Sequence, residues 1–184
     1  MKSLLTTAAL LALVAGPALA QPATPSAAPP GGNAPLSQQD QTFLKAAANG
    51  KAEVETGRYV QEHGDNPAVR VFGRWMATDH TMADHMLQRT AAAVGAQLPA
   101  TLDHDAQGMV DRVRKLRGAE LDRTYIADMV EDHEKDVHTF QQEVQSGQNP
   151  QVKAFAQDTL PVLQQHLAAA QELHQRVTSK EVRR

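Results

Sequence analysis

Three histidines, His80, His133 and His166, are the side chains of this sequence best placed to do chemistry. Each belongs to a run of apolar residues spaced three and four positions apart, which predicts that its ring faces the interior of a helical bundle. Helical bundles build metal sites from side chains of separate helices that point inward at one level. Imidazole nitrogen is a ligand for zinc, copper, iron and manganese. The sequence therefore raises the hypothesis of a transition-metal site.

Counting along the helices places the three histidines at one depth. His80 and His133 lie 13 and 14 residues after the predicted starts of their helices. At 1.5 Å per residue, this puts both about 20 Å from one end of the bundle. His166 lies 16 residues after the predicted start of the last helix, about 24 Å from the other end. In helices of about 28 residues these positions nearly coincide, so the rings should converge.

Glu53 is the acidic residue of the first helix that lies nearest this level, and it is the expected fourth ligand. Gly50 and Gly57 flank it on the same helix and would leave space for bulky ligands. The predicted metal ligands are thus three imidazoles and one carboxylate. This set suits zinc, iron or manganese, whereas a thioether ligand would shift the preference toward copper.

A Met-x-x-Asp-His motif occurs twice, at residues 76–80 and 129–133. The two aspartates, Asp79 and Asp132, could orient neighbouring imidazoles instead of binding metal themselves. The two methionines are expected to fill the core. The alternative to a metal site is a hydrogen-bonded layer of structural histidines in the core.

The surrounding pattern predicts an all-α domain over residues 37–184. Helical stripes and Asn-Pro openings indicate four long helices, over about residues 37–63, 67–95, 119–146 and 150–175. Residues 95–118 form a long crossover with one short amphipathic segment. Two hairpins joined by such a crossover have the connectivity of a ferritin-like antiparallel four-helix bundle.

Two pairs of similar segments indicate that the chain consists of two related halves. Asp40 and Asp122 are 82 residues apart in similar segments, and Asn66 and Asn149 open two helices 83 residues apart.

The remaining sequence indicates export. Residues 1–20 have the charged, apolar and small-residue regions of a cleaved signal peptide, and residues 21–36 form a Pro/Ala/Gly-rich disordered linker. We expect a periplasmic protein with no transmembrane span in the mature chain. The net charge of -3 argues against a nucleic-acid partner, and the absence of cysteine excludes thiolate metal ligands.

The sequence contains no nucleophile triad, phosphate-binding loop or Glu-x-x-His pair at a suitable spacing. It therefore does not indicate an enzyme, and the question of enzymatic activity stays open. The leading hypothesis is an exported bundle that binds a transition metal in metal handling or envelope stress protection. The alternative is a non-catalytic structural protein, or one that binds an envelope partner, with a structural histidine layer. The oligomeric state is not indicated by the sequence.

Several of these segments resemble the bacterial family called domain of unknown function 4142, whose members are often labelled outer-membrane proteins. The resemblance covers about residues 38–175. It rests on segments such as Asp40-x-x-Phe43-Leu44, Leu121-Asp122-x-x-Tyr125 and Met129-Val130-x-Asp132-His133. It implies a ferritin-like bundle exported to the periplasm and no defined activity.

Overall fold

The protein is all-α over residues 35–179, the part that the computed structural model describes. This confirms the predicted fold class. The predicted signal peptide and nearly all of the predicted linker lie outside the described residues. The helices are α1 Gln38–Ala47, α2 Gly50–His63, α3 Pro67–Val94, α4 His104–Val113, α5 Gly118–Ser146 and α6 Pro150–Ser179. Of the helices in this range, none is long and apolar enough to cross a membrane.

The helix starts follow the capping signals of the sequence. Ser37 and Asp40 form a reciprocal capping box at α1. Asn66 accepts a hydrogen bond from the backbone of α3, whose first residue is proline. Asn149 does the same at α6. At the end of α3, Gly95 adopts the left-handed conformation, with φ of 69°, that favours glycine.

The structure divides the predicted first helix into α1 and α2. Ala48 and Asn49 form a tight turn between them, in which the Asn49 N–H bonds to the Ala46 carbonyl three residues back. The Asn49 side chain meanwhile hydrogen-bonds Asp103, in the segment that leads into α4. This tertiary contact gives the Asn49 side chain partners outside the helix at the point where the helix is interrupted.

The helices pair as two hairpins. α2 packs along α3 and α5 along α6, while α3 and α6 form the contact between hairpins and α4 covers α2 and α5 from the crossover. The start of α5 lies at the turn between α2 and α3, where Asp122 accepts from the Asn66 N–H at 2.7 Å. α3 and α5 therefore start at the same end of the molecule, as predicted.

The two pairs of similar segments, around Asp40 and Asp122 and around Asn66 and Asn149, make reciprocal contacts between the two halves of the chain. Asp122 of the second hairpin holds the turn of the first through the Asn66 N–H. Asp40 of the first hairpin accepts from the backbone N–H groups of Gln148 and Asn149, in the turn of the second, at 3.0 and 3.2 Å. Each half of the chain thus supplies an acceptor for backbone N–H groups in the turn of the other half.

Two apolar clusters fill the interior, and the three histidines lie between them. One cluster contains Met76, Met129 and Ala170; the other contains Leu87, Phe140 and Leu163. On α3, α5 and α6 the histidine falls between a residue of one cluster and a residue of the other. The histidines therefore form a polar layer across the core.

Candidate metal centre

The structure brings together the three histidines that the sequence singles out. His80 on α3 is 5% exposed, and His133 on α5 and His166 on α6 are completely buried. One nitrogen from each ring lies within 4.8 Å of the others. Counting residues along rigid helices predicted this convergence, and the three side chains could hold a metal ion.

The spacing of the rings matches what one metal ion requires. The ring centroids are 5.5, 5.4 and 5.4 Å apart, so the centre of their triangle lies about 3.1 Å from each ring. An imidazole bound through nitrogen at about 2.0–2.1 Å places its own centroid about 3.2 Å from the metal. The ring centres are therefore at the separation expected of three imidazoles around one ion.

Each ring has one nitrogen next to another group and one without a partner. The His166 Nε2 lies 3.0 Å from Asp79 Oδ2, and the His133 Nδ1 lies 3.1 Å from the Met129 carbonyl oxygen. Carboxylate and carbonyl oxygens only accept hydrogen bonds, so these nitrogens carry the proton. The opposite nitrogens, Nδ1 of His166 and Nε2 of His133 and His80, are buried without a hydrogen-bond partner. An unprotonated nitrogen opposite an anchored one is the arrangement of metal-binding histidines.

Glu53 lies beside two of the rings. Its Oε2 is 2.8 Å from His80 Nδ1 and its Oε1 is 3.5 Å from His133 Nδ1. Neither contact is aligned as a hydrogen bond, and both carboxylate oxygens are buried without a partner. Burial raises the pKa of Glu53, and the neighbouring His133 opposes this shift. The carboxylate thus adjoins the cluster on the Nδ1 side, where it can orient the rings or turn to bind an ion.

The two glycines near Glu53 have different surroundings. A Cβ at Gly50 would lie 3.3 Å from His80 Nδ1, so this glycine does make room for the cluster. A Cβ at Gly57 would lie 2.5 Å from the Gly73 carbonyl oxygen. The expectation that Gly57 leaves space for ligands was wrong, because its missing side chain lets α2 approach α3.

Burial keeps the three imidazoles neutral at pH 7. It lowers the pKa of His80, His133 and His166 to about 4, with the neighbouring rings adding to the shift of His133 and His166. Nearby acids oppose the shift, among them Asp79 at His166. Neutral imidazole is the form that binds metal.

The two Met-x-x-Asp-His motifs differ in their contacts. Asp79 holds His166 of another helix, whereas Asp132 faces a cleft and lies 3.9 Å from Lys135. Met76 and Met129 are completely buried in an apolar cluster, as expected of core residues. The other histidines of the described residues are exposed or half-buried: His63, His85, His104, His138 and His174.

A cleft of about 610 Å³ leads to the cluster, and the sequence analysis missed it. It reaches Glu53 and His80 and is lined by several further acids, among them Asp84, Asp132 and Asp136. A signal was present, because Asp84 and Asp136 follow His80 and His133 by four and three residues and so share their helix faces. The cleft connects a buried cluster with solvent.

Comparisons with known proteins give the family and support the fold. The sequence model of a family described as a domain of unknown function (DUF4142) matches residues 25–173. This chain belongs to the DUF4142 family. No curated protein sequence matches the DUF4142 chain.

Two solved structures resemble this DUF4142 protein. A DUF305 fragment from Deinococcus radiodurans has a TM-score of 0.68 at 11% identity, covering 78% of this chain and 99% of its own. A DUF305 protein from Streptomyces coelicolor has a TM-score of 0.63 at 14% identity, covering 76% and 94%. At these identities the likeness shows a shared ferritin-like helical fold and nothing about activity.

Proposed function

We propose that this DUF4142 protein binds one transition-metal ion through His80, His133 and His166. The observation that carries the proposal is a triangle of buried, neutral imidazoles at metal-binding separation, each with one unpartnered nitrogen. The unpartnered nitrogens are His80 Nε2, His133 Nε2 and His166 Nδ1. Asp79 and the Met129 carbonyl hold the opposite side of two of these rings.

The unpartnered nitrogens favour a metal site over the structural histidine layer. A layer kept for structure should satisfy both nitrogens of each buried ring, since an unpaired buried polar group costs about 1–3 kcal/mol. Here each of the three neighbouring rings has one nitrogen without a hydrogen-bond partner. One bound cation would supply the missing partner to all three.

The donor chemistry favours Zn²⁺, Fe²⁺ or Mn²⁺ over Cu⁺. Imidazole and carboxylate suit the first group, whereas Cu⁺ prefers the thioether sulfur that Met76 and Met129 keep in the apolar core. Glu53 is the proposed fourth ligand, because both of its oxygens are buried without a hydrogen-bond partner; to reach the ion its carboxylate would turn from the Nδ1 side of His80, where Oε2 now lies 2.8 Å away. Zn²⁺ is the first ion to test, since it accepts three histidines and one carboxylate in tetrahedral geometry.

The biological role we propose is metal handling or stress protection in the cell envelope. The leader-like segment at residues 1–20 motivates the location. Fractionation of cells that express the full chain would test it. Recovery in the periplasmic fraction at the mass of the chain without residues 1–20 supports export, and retention at full mass in the cytosol contradicts it.

The metal proposal is tested by metal content and thermal unfolding of the purified chain. We expect near-stoichiometric metal in the wild type and its loss in His133→Gln, which keeps most of the side-chain volume. The control is His138→Gln, an exposed histidine on the same helix. Zn²⁺ at one hundred times its Kd should stabilise the wild type by about 2.7 kcal/mol, or roughly 5–10 °C in Tm.

A different result would favour the alternative function. A wild-type protein that takes up no zinc, iron, manganese or copper, and whose Tm none of them changes, would leave a structural or partner-binding bundle.

A further inference from the structure

We propose that the ion exchanges with solvent through the acidic cleft, and that Asp132 and Asp136 draw a hydrated divalent cation to Glu53 and His80. This inference rests on the proposed metal site. It goes further by describing the metal as an exchangeable cargo, loaded and released by the folded protein, in place of a permanently enclosed structural ion.

The position of the cleft determines which ligand an ion meets first. Glu53 and His80 line the cleft, whereas His133 and His166 are completely buried behind them. The unpartnered oxygens of Glu53, a residue only 4% exposed, therefore lie at the inner end of the cleft. The cleft volume of about 610 Å³ is sufficient for a hydrated ion.

The lining of the cleft is predominantly acidic, and burial raises the pKa of two of its acids, Glu53 to about 7 and Asp136 to about 8. Two of its cations already have partners, because Arg112 lies 2.8 Å from Asp128 and Lys135 lies 2.7 Å from Glu131. More acids than cations line the cleft, and they are Glu53, Asp84, Asp103, Asp105, Asp128, Glu131, Asp132 and Asp136. Clefts lined by charge of one sign concentrate counter-ions and accelerate their association.

Three of these acids follow one another along α5. Asp128, Asp132 and Asp136 are spaced four residues apart, so they lie on one face of the helix with a rise of about 6 Å between neighbours. Besides burial, the charge of Asp132 contributes to the raised pKa of Glu53, and the charge of Glu53 contributes to the raised pKa of Asp136. A row of carboxylates thus leads along the cleft past the buried carboxylate. A cation that enters would relieve the repulsion among them.

The inference is tested by the rate of Zn²⁺ loading, measured against a chromophoric chelator by stopped flow. The variant is Asp132→Asn/Asp136→Asn in the full chain. The matched control is Glu62→Gln/Glu172→Gln, which replaces two carboxylates at exposed positions outside the cleft. We expect the cleft variant to load about tenfold more slowly at low ionic strength and the control to change less than about twofold.

Salt dependence and equilibrium binding separate the possible outcomes. The rate difference should shrink as salt is raised to about 0.5 M, because screening removes the attraction. Equal loading rates for the two double variants would overturn the exchange route while leaving the metal site intact. A wild type without measurable Zn²⁺ affinity would overturn the metal site itself, and this is seen in the equilibrium titration before any rate is compared.

Discussion

The crossing of α2 and α3 depends on two glycines, and replacing one of them is a sensitive test of the packing around the site. Gly57 and Gly73 are buried and face each other's backbone. A Cβ at Gly57 would lie 2.5 Å from the Gly73 carbonyl oxygen and 3.1 Å from the Ala77 nitrogen. Gly57→Ala should therefore force the helices apart by roughly 0.5–1 Å, since backbone atoms cannot rotate out of the way.

The expected cost follows from two opposing terms. Overpacking of a tight core contact costs about 1–3 kcal/mol. Alanine in place of glycine within a helix raises the free energy of unfolding by about 1 kcal/mol through its higher helix propensity. Glu53 lies one turn before Gly57 and His80 one turn after Ala77, so the separation should also move the Glu53 carboxylate from His80 and weaken metal binding.

Gly108→Ala is the matched control. Gly108 lies inside α4, is exposed, and a Cβ there would meet nothing within 4 Å. The Gly108→Ala variant gains the same helix propensity without the clash. Its free energy of unfolding in urea should therefore exceed that of Gly57→Ala by about 1–3 kcal/mol. For a chain of this size the difference corresponds to roughly 2–12 °C in Tm. Equal stability of the two variants would refute the close-contact argument.

Other expected outcomes concern the contacts between hairpins and their pH dependence. Asp122→Ala should lose about 0.5–1.5 kcal/mol in urea unfolding, because a half-buried backbone N–H at the α2–α3 turn loses its acceptor; Glu120→Ala, exposed on the same helix, should lose little. Burial would raise the pKa of Asp40, but hydrogen bonds from Ser37 and the α5–α6 turn outweigh it and lower the pKa to about 2. Stability should therefore fall by on the order of 1 kcal/mol between pH 4 and 2, and Asp40→Asn should lack this loss. Burial and the hydrogen bond to Asp40 raise the pKa of Glu143 to about 7. The folding stability that this raised pKa contributes is complete below pH 4.5 and is lost as the pH rises through 7. Glu143→Gln should therefore flatten the stability profile between pH 5 and 8.

Local signals and rigid geometry explain why much of the fold could be predicted. Asn66 and Asn149 mark helix starts through their own side chains, which needs no knowledge of the rest of the chain. The meeting of His80, His133 and His166 followed from the constant rise of an α-helix. The domain boundaries, the export signal and the biological role stay predictions.

The parts that escaped prediction depend on contacts between distant segments. The turn at Asn49 is tied to Asp103, 54 residues away. The sequence suggested that Asp79 orients an imidazole but did not identify His166 as the partner, because the rotation of α3 and α6 about their axes is not determined by a pattern of apolar residues. The cleft depends on where α4 lies, and the long crossover leaves that position open in the sequence.

The hydrogen bonds that Asp40 and Asp122 accept from opposite turns have a consequence for chain connectivity. Each half of the chain contains one aspartate that accepts hydrogen bonds from the turn of the other half, and one turn whose N–H groups bind the aspartate of the other half. The contacts that close the molecule at its two ends therefore do not depend on the peptide bonds of the crossover. A chain cut between Leu98 and Thr101, where no helix is interrupted, should still assemble from its two fragments, which makes this protein a candidate for fragment complementation.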